Sequence, residues 1–504
     1  MTPQDAYKEL IERRKKTATL ESCGSVLGWE ERTYMPRGGA EHRAAQLGLI
    51  AGLTHEWSVD PKIGELLSTI ESSDLVKGKD TIEAANVREI RHHYDKDTKL
   101  PRELVEEFAK TTSLAQGVWQ EARKKNDFKH FLPSLEKVID LTKRVAECYG
   151  YKDDIYDPLL DNYEPGMKTA EVARVFDALL PELVELNRKI ADAPKKPDVS
   201  IVRRVYDKEL QRVFGESVAA AMGFDFNKGR LDVTTHPFCS GFGPGDTRIT
   251  TRYNPHRLND ALFGIMHEAG HALYEMGIDK EHHFGTPVGE TFSLSLHESQ
   301  SRMWENQVGR SKEFWTHFFP QAQRIFRDAL GDVKLEEFYG AINYSEPSYI
   351  RVEADEATYN LHIMLRFELE RLILKGDLKP ADIPGEWNRR YEKYFGLKVD
   401  TDANGCLQDV HWSAGYMGYF PTYCLGNLYS AQFFARAKQE ISDLPNQISQ
   451  GNLLGLLTWL RKNIHIHGAR YRAKALGERV TGQPLSHKPL VEYMNKKYGE
   501  IYGF

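Results

Sequence analysis

The sequence predicts a mainly α-helical protein with one small β-sheet beside a helix that carries metal-binding residues. Three observations lead there. Residues 1–190 repeat apolar positions at three- and four-residue spacing, with little glycine between them. One stretch after Lys228 alternates β-branched residues around a Gly/Pro-rich centre. Helical patterning then resumes to the end of the chain.

Taken in order, "PRELVEEFAKTTSLAQGVWQEARKK" at 101–125 and "FLPSLEKVIDLTKRVAECYG" at 131–150 gather their apolar residues into stripes suited to helix packing. "ADAPKKPDVS", 191–200, is a loop. It is the candidate boundary between a helical lobe, roughly 1–195, and a second part, roughly 200–504, within one domain spanning 1–504. "GRLDVTTHPFCSGFGPGDTRITTRYN" reads as a hairpin, with a strand near 231–235, a loop, and a strand near 246–253. Asn254-Pro255 ends it, and Leu258 starts the next helix. "DLKPADIP" at 377–384 and "DTDANG" at 400–405 interrupt the later helices.

Composition narrows the class. With 41% hydrophobic and 28% charged residues and a net charge of -6 spread along the chain, the protein reads as soluble and globular. No basic patch suggests nucleic acid or a membrane surface, and no apolar run spans a bilayer. The first residues are too polar for a secretory leader. Cys23, Cys148, Cys239, Cys406 and Cys424 are scattered without a C-x-x-C pair, which fits reduced, buried thiols in a cytoplasmic protein.

The chemistry centres on "IMHEAGHALYE", 265–275. His267 and His271 are four apart, so a helix sets them on one face roughly 6 Å apart along its axis. Two imidazoles there can grip one cation, and Glu268 then faces the open coordination position as a base toward water. H-E-x-x-H arises by chance in roughly one chain in twenty of this length, so it needs support. A third ligand is sought in "GETFSLSLHESQSRMWEN", 289–306. Glu298 is the candidate; Glu290, Glu305 and His297 compete on spacing alone. The plainer reading of Glu298 is a helix acid paired with Arg302.

Further short signatures accompany the motif: "HPF" at 236–238, "DTRIT" at 246–250, "HESQ" at 297–300, "IRVEAD" at 350–355 and "GCLQDVHW" at 405–412. On these the chain resembles, over essentially its whole length, the thermostable carboxypeptidase family, the Taq-type metallocarboxypeptidases. The resemblance implies His267, His271 and Glu298 as metal ligands and Glu268 as catalytic base. It also implies a two-lobed helical fold with a deep groove, a homodimer, Zn2+ as default metal with Co2+ able to substitute, and removal of single residues from peptide C-termini. Peptides with a free C-terminus are then the expected partners.

The remaining candidates each carry a functional and a plainer reading. The strand "DTRITTRY" is expected to pair with a substrate backbone. Asp246 and Arg248 instead bind substrate or pair with each other. His236 is a hydrogen-bonded core histidine or a substrate-facing group. His297 reads as an orienting neighbour of the metal, with Asp355 and Asp246 as possible acceptors for a ligand imidazole N–H. His411 and Tyr423 are the candidate oxyanion donors, with Tyr416 and Tyr419 as rivals for the tyrosine role. Gln408 is a candidate for the substrate terminus. Arg351 is the candidate for its α-carboxylate, or else pairs with Asp355 four residues on. Two rival functions stand beside this one: a dipeptidyl-carboxypeptidase or oligoendopeptidase of the helical zinc-peptidase group, and a non-catalytic helical scaffold.

Overall fold

The computed structural model describes residues 1–504. The chain forms two compact units, one from Met1–Thr98, Asp198–Ile342 and Ser430–Pro484, the other from Lys99–Pro197, Asn343–Tyr429 and Leu485–Phe504. It therefore passes between them after Thr98, Pro197, Ile342, Tyr429 and Pro484. Helices dominate, and there is one three-stranded sheet.

The first unit holds that sheet: β1 (Gly229–Val233), β2 (Cys239–Gly243) and β3 (Asp246–Thr251), in the order β1-β3-β2. β1 runs parallel to β3, with Leu231 opposite Ile249, and β2 runs antiparallel to β3. This corrects the expected hairpin twice. The two anticipated strands are parallel, and "CSGFG" is a strand rather than a loop. Parallel neighbours need a crossover; residues 234–245 supply it, and β2 forms inside it. Its glycines lower strand propensity, so only pairing with β3 makes it a strand. Gly245, at φ 74°, makes the turn into β3.

A second correction follows from the strand order. β3 is central, so both of its edges are hydrogen-bonded within the sheet. From Thr247 to Ile249 neither edge of β3 remains for a substrate backbone; Arg252 and Tyr253 lie beyond the strand.

The motif helix, Leu258–Gly277, begins at the expected residue. Leu258, Ala261, Leu262, Ile265, Met266, Ala269, Ala272 and Leu273 form one buried face, and Phe263, Gly270 and Tyr274 widen it. It packs on helix Lys208–Met222, on β3 and on helix Leu294–Arg302. Full burial of each large apolar side chain contributes about 1.5–3 kcal/mol, which makes this helix a rigid platform.

In the second unit, helix Glu356–Lys375 is likewise buried on most sides. Asp355 caps it, accepting from the backbone N–H groups of Ala357 and Thr358, and Gly376 at φ 82° ends it. It packs on helices Thr169–Asp192 and Ile383–Phe395. The segment 401–420 is a run of turns leading into helix Pro421–Glu440.

All five cysteines are free thiols. Cys406 and Cys424 are buried as expected, whereas Cys23 is exposed on helix Pro3–Thr33. No helix is long and apolar enough to cross a membrane.

Candidate metal centre and its surroundings

The motif helix presents His267 and His271 toward helix Leu294–Arg302, which carries Glu298. The two helices touch backbone to backbone because Gly270 lies between the histidines. A Cβ there would sit 2.7 Å from Ser301 Cα and 2.8 Å from the Gln300 carbonyl oxygen. The close approach brings Glu298 Oε2 to 3.7 Å from His267 Nε2 and 3.5 Å from His271 Nε2. One donor atom from each of the three residues lies within 4.8 Å of the others. Donors 2.0–2.2 Å from one tetrahedral ion stand roughly 3.3–3.6 Å apart, so the spacing fits zinc-type coordination.

The second nitrogen of each histidine is engaged, which leaves Nε2 facing the ligand cluster. His267 Nδ1 lies 2.9 Å from Glu305 Oε2. His271 Nδ1 lies 2.5 Å from His297 Nδ1, and His297 Nε2 lies 2.8 Å from Glu275 Oε1. Glu305 sits on the π-helical turn Met303–Val308 that continues the acid helix; such turns recur at functional sites. Glu305 thus meets the outer nitrogen of His267 and lies outside the His267–His271–Glu298 cluster. The acids that contact these histidines from outside are Glu305, on His267, and Glu275, on His297; Asp355 and Asp246 are engaged elsewhere. Asp355 is committed to its helix cap, Ser345 Oγ and the Glu346 backbone N–H. Asp246 takes two hydrogen bonds from Arg248, at 2.8 and 2.7 Å. Glu290 lies outside the ligand cluster.

The plainer reading of Glu298 also holds. Arg302 Nε donates to its Oε1 at 2.6 Å, and Ser301 Oγ donates to its Oε2 at 3.1 Å. These contacts fix the carboxylate while Oε2 still faces the histidines. Burial pushes the Glu298 carboxyl up, but Arg302 and the histidines outweigh it and hold it well below the usual range. Burial pushes His271 down to about 3, keeping it neutral as a ligand must be. Burial also lowers His267, yet the surrounding glutamates outweigh it and the net direction is up.

Glu268 is nearly buried, and no ion pair or hydrogen bond takes its oxygens. Burial pushes its carboxyl up to about 7. A carboxylate of that basicity exchanges protons at neutral pH.

The neighbouring sheet carries the other first-unit candidates. Arg248 is fixed by Asp246 and lies over Trp29, its guanidinium carbon 4.5 Å from the ring centroid. This is the structural pairing anticipated as one of its two readings. His236 is exposed on the connection between β1 and β2, which removes the core-histidine reading.

The second unit gathers Arg351, Gln408, His411 and Tyr423. Arg351 donates from Nε to Asp409 Oδ1 at 2.9 Å and from Nη1 to Tyr359 OH at 3.2 Å, so its partner is Asp409 and not Asp355. Arg366 Nε donates to Asp409 Oδ2 at 2.7 Å. Two buried guanidiniums thus share one carboxylate. Gln408 is fully committed: its amide N–H groups go to the carbonyls of Tyr349, Asn404 and Gly405, and its oxygen accepts the Arg351 N–H. No donor is left for a substrate terminus. The rings of His411 and Tyr423 lie 6.4 Å apart. Burial pushes His411 down to about 4, so it is neutral, and its Nδ1 has no hydrogen-bond partner. Tyr419 packs on both rings, while Tyr416 is half exposed. The sequence reading missed Asp409, Arg366, Glu275 and Lys280. Asp409 lies inside the last signature and Glu275 ends the quoted motif stretch, one turn after His271; Arg366 and Lys280 carried no signal.

Comparison with known proteins gives a consistent result. Residues 9–498 match the family model described as carboxypeptidase Taq (M32) metallopeptidase. The chain is 46% identical to thermostable carboxypeptidase 1 of Thermus thermophilus over 515 residues, covering all of both chains. It is 35% identical to carboxypeptidase 1 of Bacillus subtilis over 98% of each. The crystal structure of an M32 carboxypeptidase from Deinococcus radiodurans R1 superposes with a TM-score of 0.95 at 40% identity, covering 99% of this chain and 100% of that one.

Proposed function

The chain belongs to the carboxypeptidase Taq (M32) metallopeptidase family, and from that premise we propose how its residues divide the work of a metallocarboxypeptidase. The single observation that carries the reading is the His267–His271–Glu298 donor cluster beside a Glu268 carboxylate that nothing else engages. The first three hold one divalent ion, Zn2+ by the N, N, O donor set, with Co2+ an acceptable substitute. When bound, the ion supplies Lewis acidity that polarises the scissile carbonyl and makes water acidic near neutral pH.

Glu268 holds the proton taken from water at its carboxylate and passes it to the leaving amine. Burial raises its carboxyl above the ordinary range, which makes it a stronger base than an exposed glutamate. His411 and Tyr423 donate hydrogen bonds to the developing oxyanion; a neutral imidazole retains one N–H for this. Arg351 binds the substrate α-carboxylate. Two guanidiniums against one carboxylate leave a positive charge that an incoming anion neutralises. The protein acts on peptides with a free C-terminus, in the cytoplasm, as a homodimer.

Hydrolysis of short N-blocked peptides, free or amidated at the C-terminus, tests the reading with metal content measured alongside. Release of single C-terminal residues from free acids only, dependent on about one ion per chain, is expected. Release of dipeptides, or equal cleavage of amides, assigns the dipeptidyl-carboxypeptidase or endopeptidase activity instead.

A further inference from the structure

The His271 arm of the metal cluster continues for two further residues. Beyond His297 lies Glu275, one turn along the motif helix, and beyond Glu275 lies Lys280, whose ammonium is paired with Glu275 Oε2. Both ion-pair side chains are almost buried, with relative exposures of 14% and 10%. A buried ion pair is a poor source of stability, because desolvation offsets much of the attraction. The fold nevertheless makes room for it. A Cβ at Gly241 in β2 would meet Glu275 Oε2 at 2.8 Å and Lys280 Nζ at 3.0 Å. The glycine that disguised β2 as a loop is the one that admits this pair.

The hydrogen bonds allow one proton arrangement once His271 uses Nε2 as a ligand. His271 then carries its proton on Nδ1 and donates it to His297 Nδ1. His297 keeps its remaining proton on Nε2 and donates it to Glu275 Oε1. Glu275 takes the acceptor role, since the Lys280 ammonium pairs with its Oε2 and leaves Oε1 to receive the His297 N–H. Every donor along the chain points away from the ligand cluster. Without Glu275, His297 is free to carry its proton on Nδ1. It then opposes the His271 N–H, or drives the His271 proton onto Nε2 and hides the ligating lone pair.

We propose that Glu275 and Lys280 are positioning residues for the metal centre, acting through His297 to lock His271 in its ligating tautomer. The inference rests on the assignment of His271 as a ligand.

The test reads metal affinity and not turnover. Zn2+ dissociation constants are measured by chelator competition on the full chain, and the visible absorption of the Co2+ form reports ligand geometry. Glu275→Ala should weaken Zn2+ binding by roughly 10–100-fold and shift the Co2+ bands. Glu275→Gln, whose carbonyl still accepts from His297, should lose less. Lys280→Met should lose affinity in the same direction, and it carries the test if Glu275→Ala fails to fold. Leu66→Ala, in a separate core cluster of the same unit, is the control for lost stability. Wild-type affinity and Co2+ bands in both Glu275→Ala and Lys280→Met overturn the proposal. So does a Leu66→Ala variant that weakens binding as much as they do. If His271→Ala itself retains the ion, the ligand assignment falls and this inference with it.

Discussion

Gly270→Ala should damage the metal centre without touching a ligand. In an exposed helix the change gains about 1 kcal/mol, because alanine is the better helix former. Here the new methyl carbon lands 2.7 Å from Ser301 Cα and 2.8 Å from the Gln300 oxygen. Ordinary carbon contacts are about 3.5–4.0 Å, so the two helices must part by roughly 1 Å. Neither obstructing atom is the end of a flexible side chain. Overpacking of this kind costs about 1–3 kcal/mol, which cancels or exceeds the propensity gain. The functional effect is larger than the net stability change. Metal–ligand distances tolerate only about ±0.2 Å, and Glu298 rides on the helix being displaced, three residues before Ser301. A 1 Å misplacement can cost about 100-fold in rate. We expect a thermal midpoint within a few degrees of wild type, at least tenfold weaker Zn2+ binding, and turnover down about 100-fold in Zn2+-saturated protein. The assays are differential scanning calorimetry, chelator competition and peptide hydrolysis. Wild-type Zn2+ affinity in a folded Gly270→Ala protein would refute the argument that this close approach sets the ligand geometry.

Other expectations follow from the same site and from the core. Glu268→Gln should keep fold and metal yet lose turnover by 100-fold or more, since an amide cannot take the proton; near-normal activity in zinc-loaded protein removes Glu268 from the mechanism. His411→Ala and Tyr423→Phe should each lower kcat, by about 3 kcal/mol for a lost oxyanion donor, with little change in KM; changes confined to KM make them substrate-binding groups. Arg351→Ala should raise KM for free-acid peptides and abolish discrimination against C-terminal amides; a variant that still rejects amides moves that role elsewhere. His465 is buried against Gln300 Oε1 at 2.9 Å, and burial lowers it from 6.5 to about 3. The unfolded chain therefore binds a proton that the folded one refuses. The His465 contribution is full above pH 6.5 and falls by up to about 1.4 kcal/mol per unit toward pH 3. Chemical denaturation of wild type and His465→Gln across that window should show a smaller acid loss in the variant; equal losses exclude His465 as the cause.

What could be read ahead of the structure depended on how local the determinant is. The i, i+4 spacing of His267 and His271 is written in the helix itself, and so is the start at Leu258 after Asn254-Pro255. Glu298 needed a second helix, and spacing left three rivals open. One of them, Glu305, turned out to face the opposite nitrogen of His267, because a π-helical turn shifts its direction. β2 was illegible because Gly241 and Gly243 are conformationally loose, and the strand exists only through its pairing with β3. The Arg351 partner was misread for a similar reason. Asp355, near in sequence, is captured by the helix it caps, whereas Asp409 arrives from a distant segment.

The interleaved composition of the two units bears on how the protein is made. Neither unit corresponds to a continuous stretch that can leave the ribosome and fold before the rest arrives. A nascent chain that has reached Tyr429 already contains every metal ligand, yet it lacks Ser430–Pro484 of the same unit. That missing piece includes His465, which fills the space left by Gly277 at the end of the motif helix and bonds Gln300 on the acid helix. Domains generally fold as units during synthesis, so vectorial folding stalls here until nearly the whole message is translated. Truncation from the C-terminus should yield aggregation-prone fragments and no smaller functional core, and high-affinity metal capture should be among the last events in maturation.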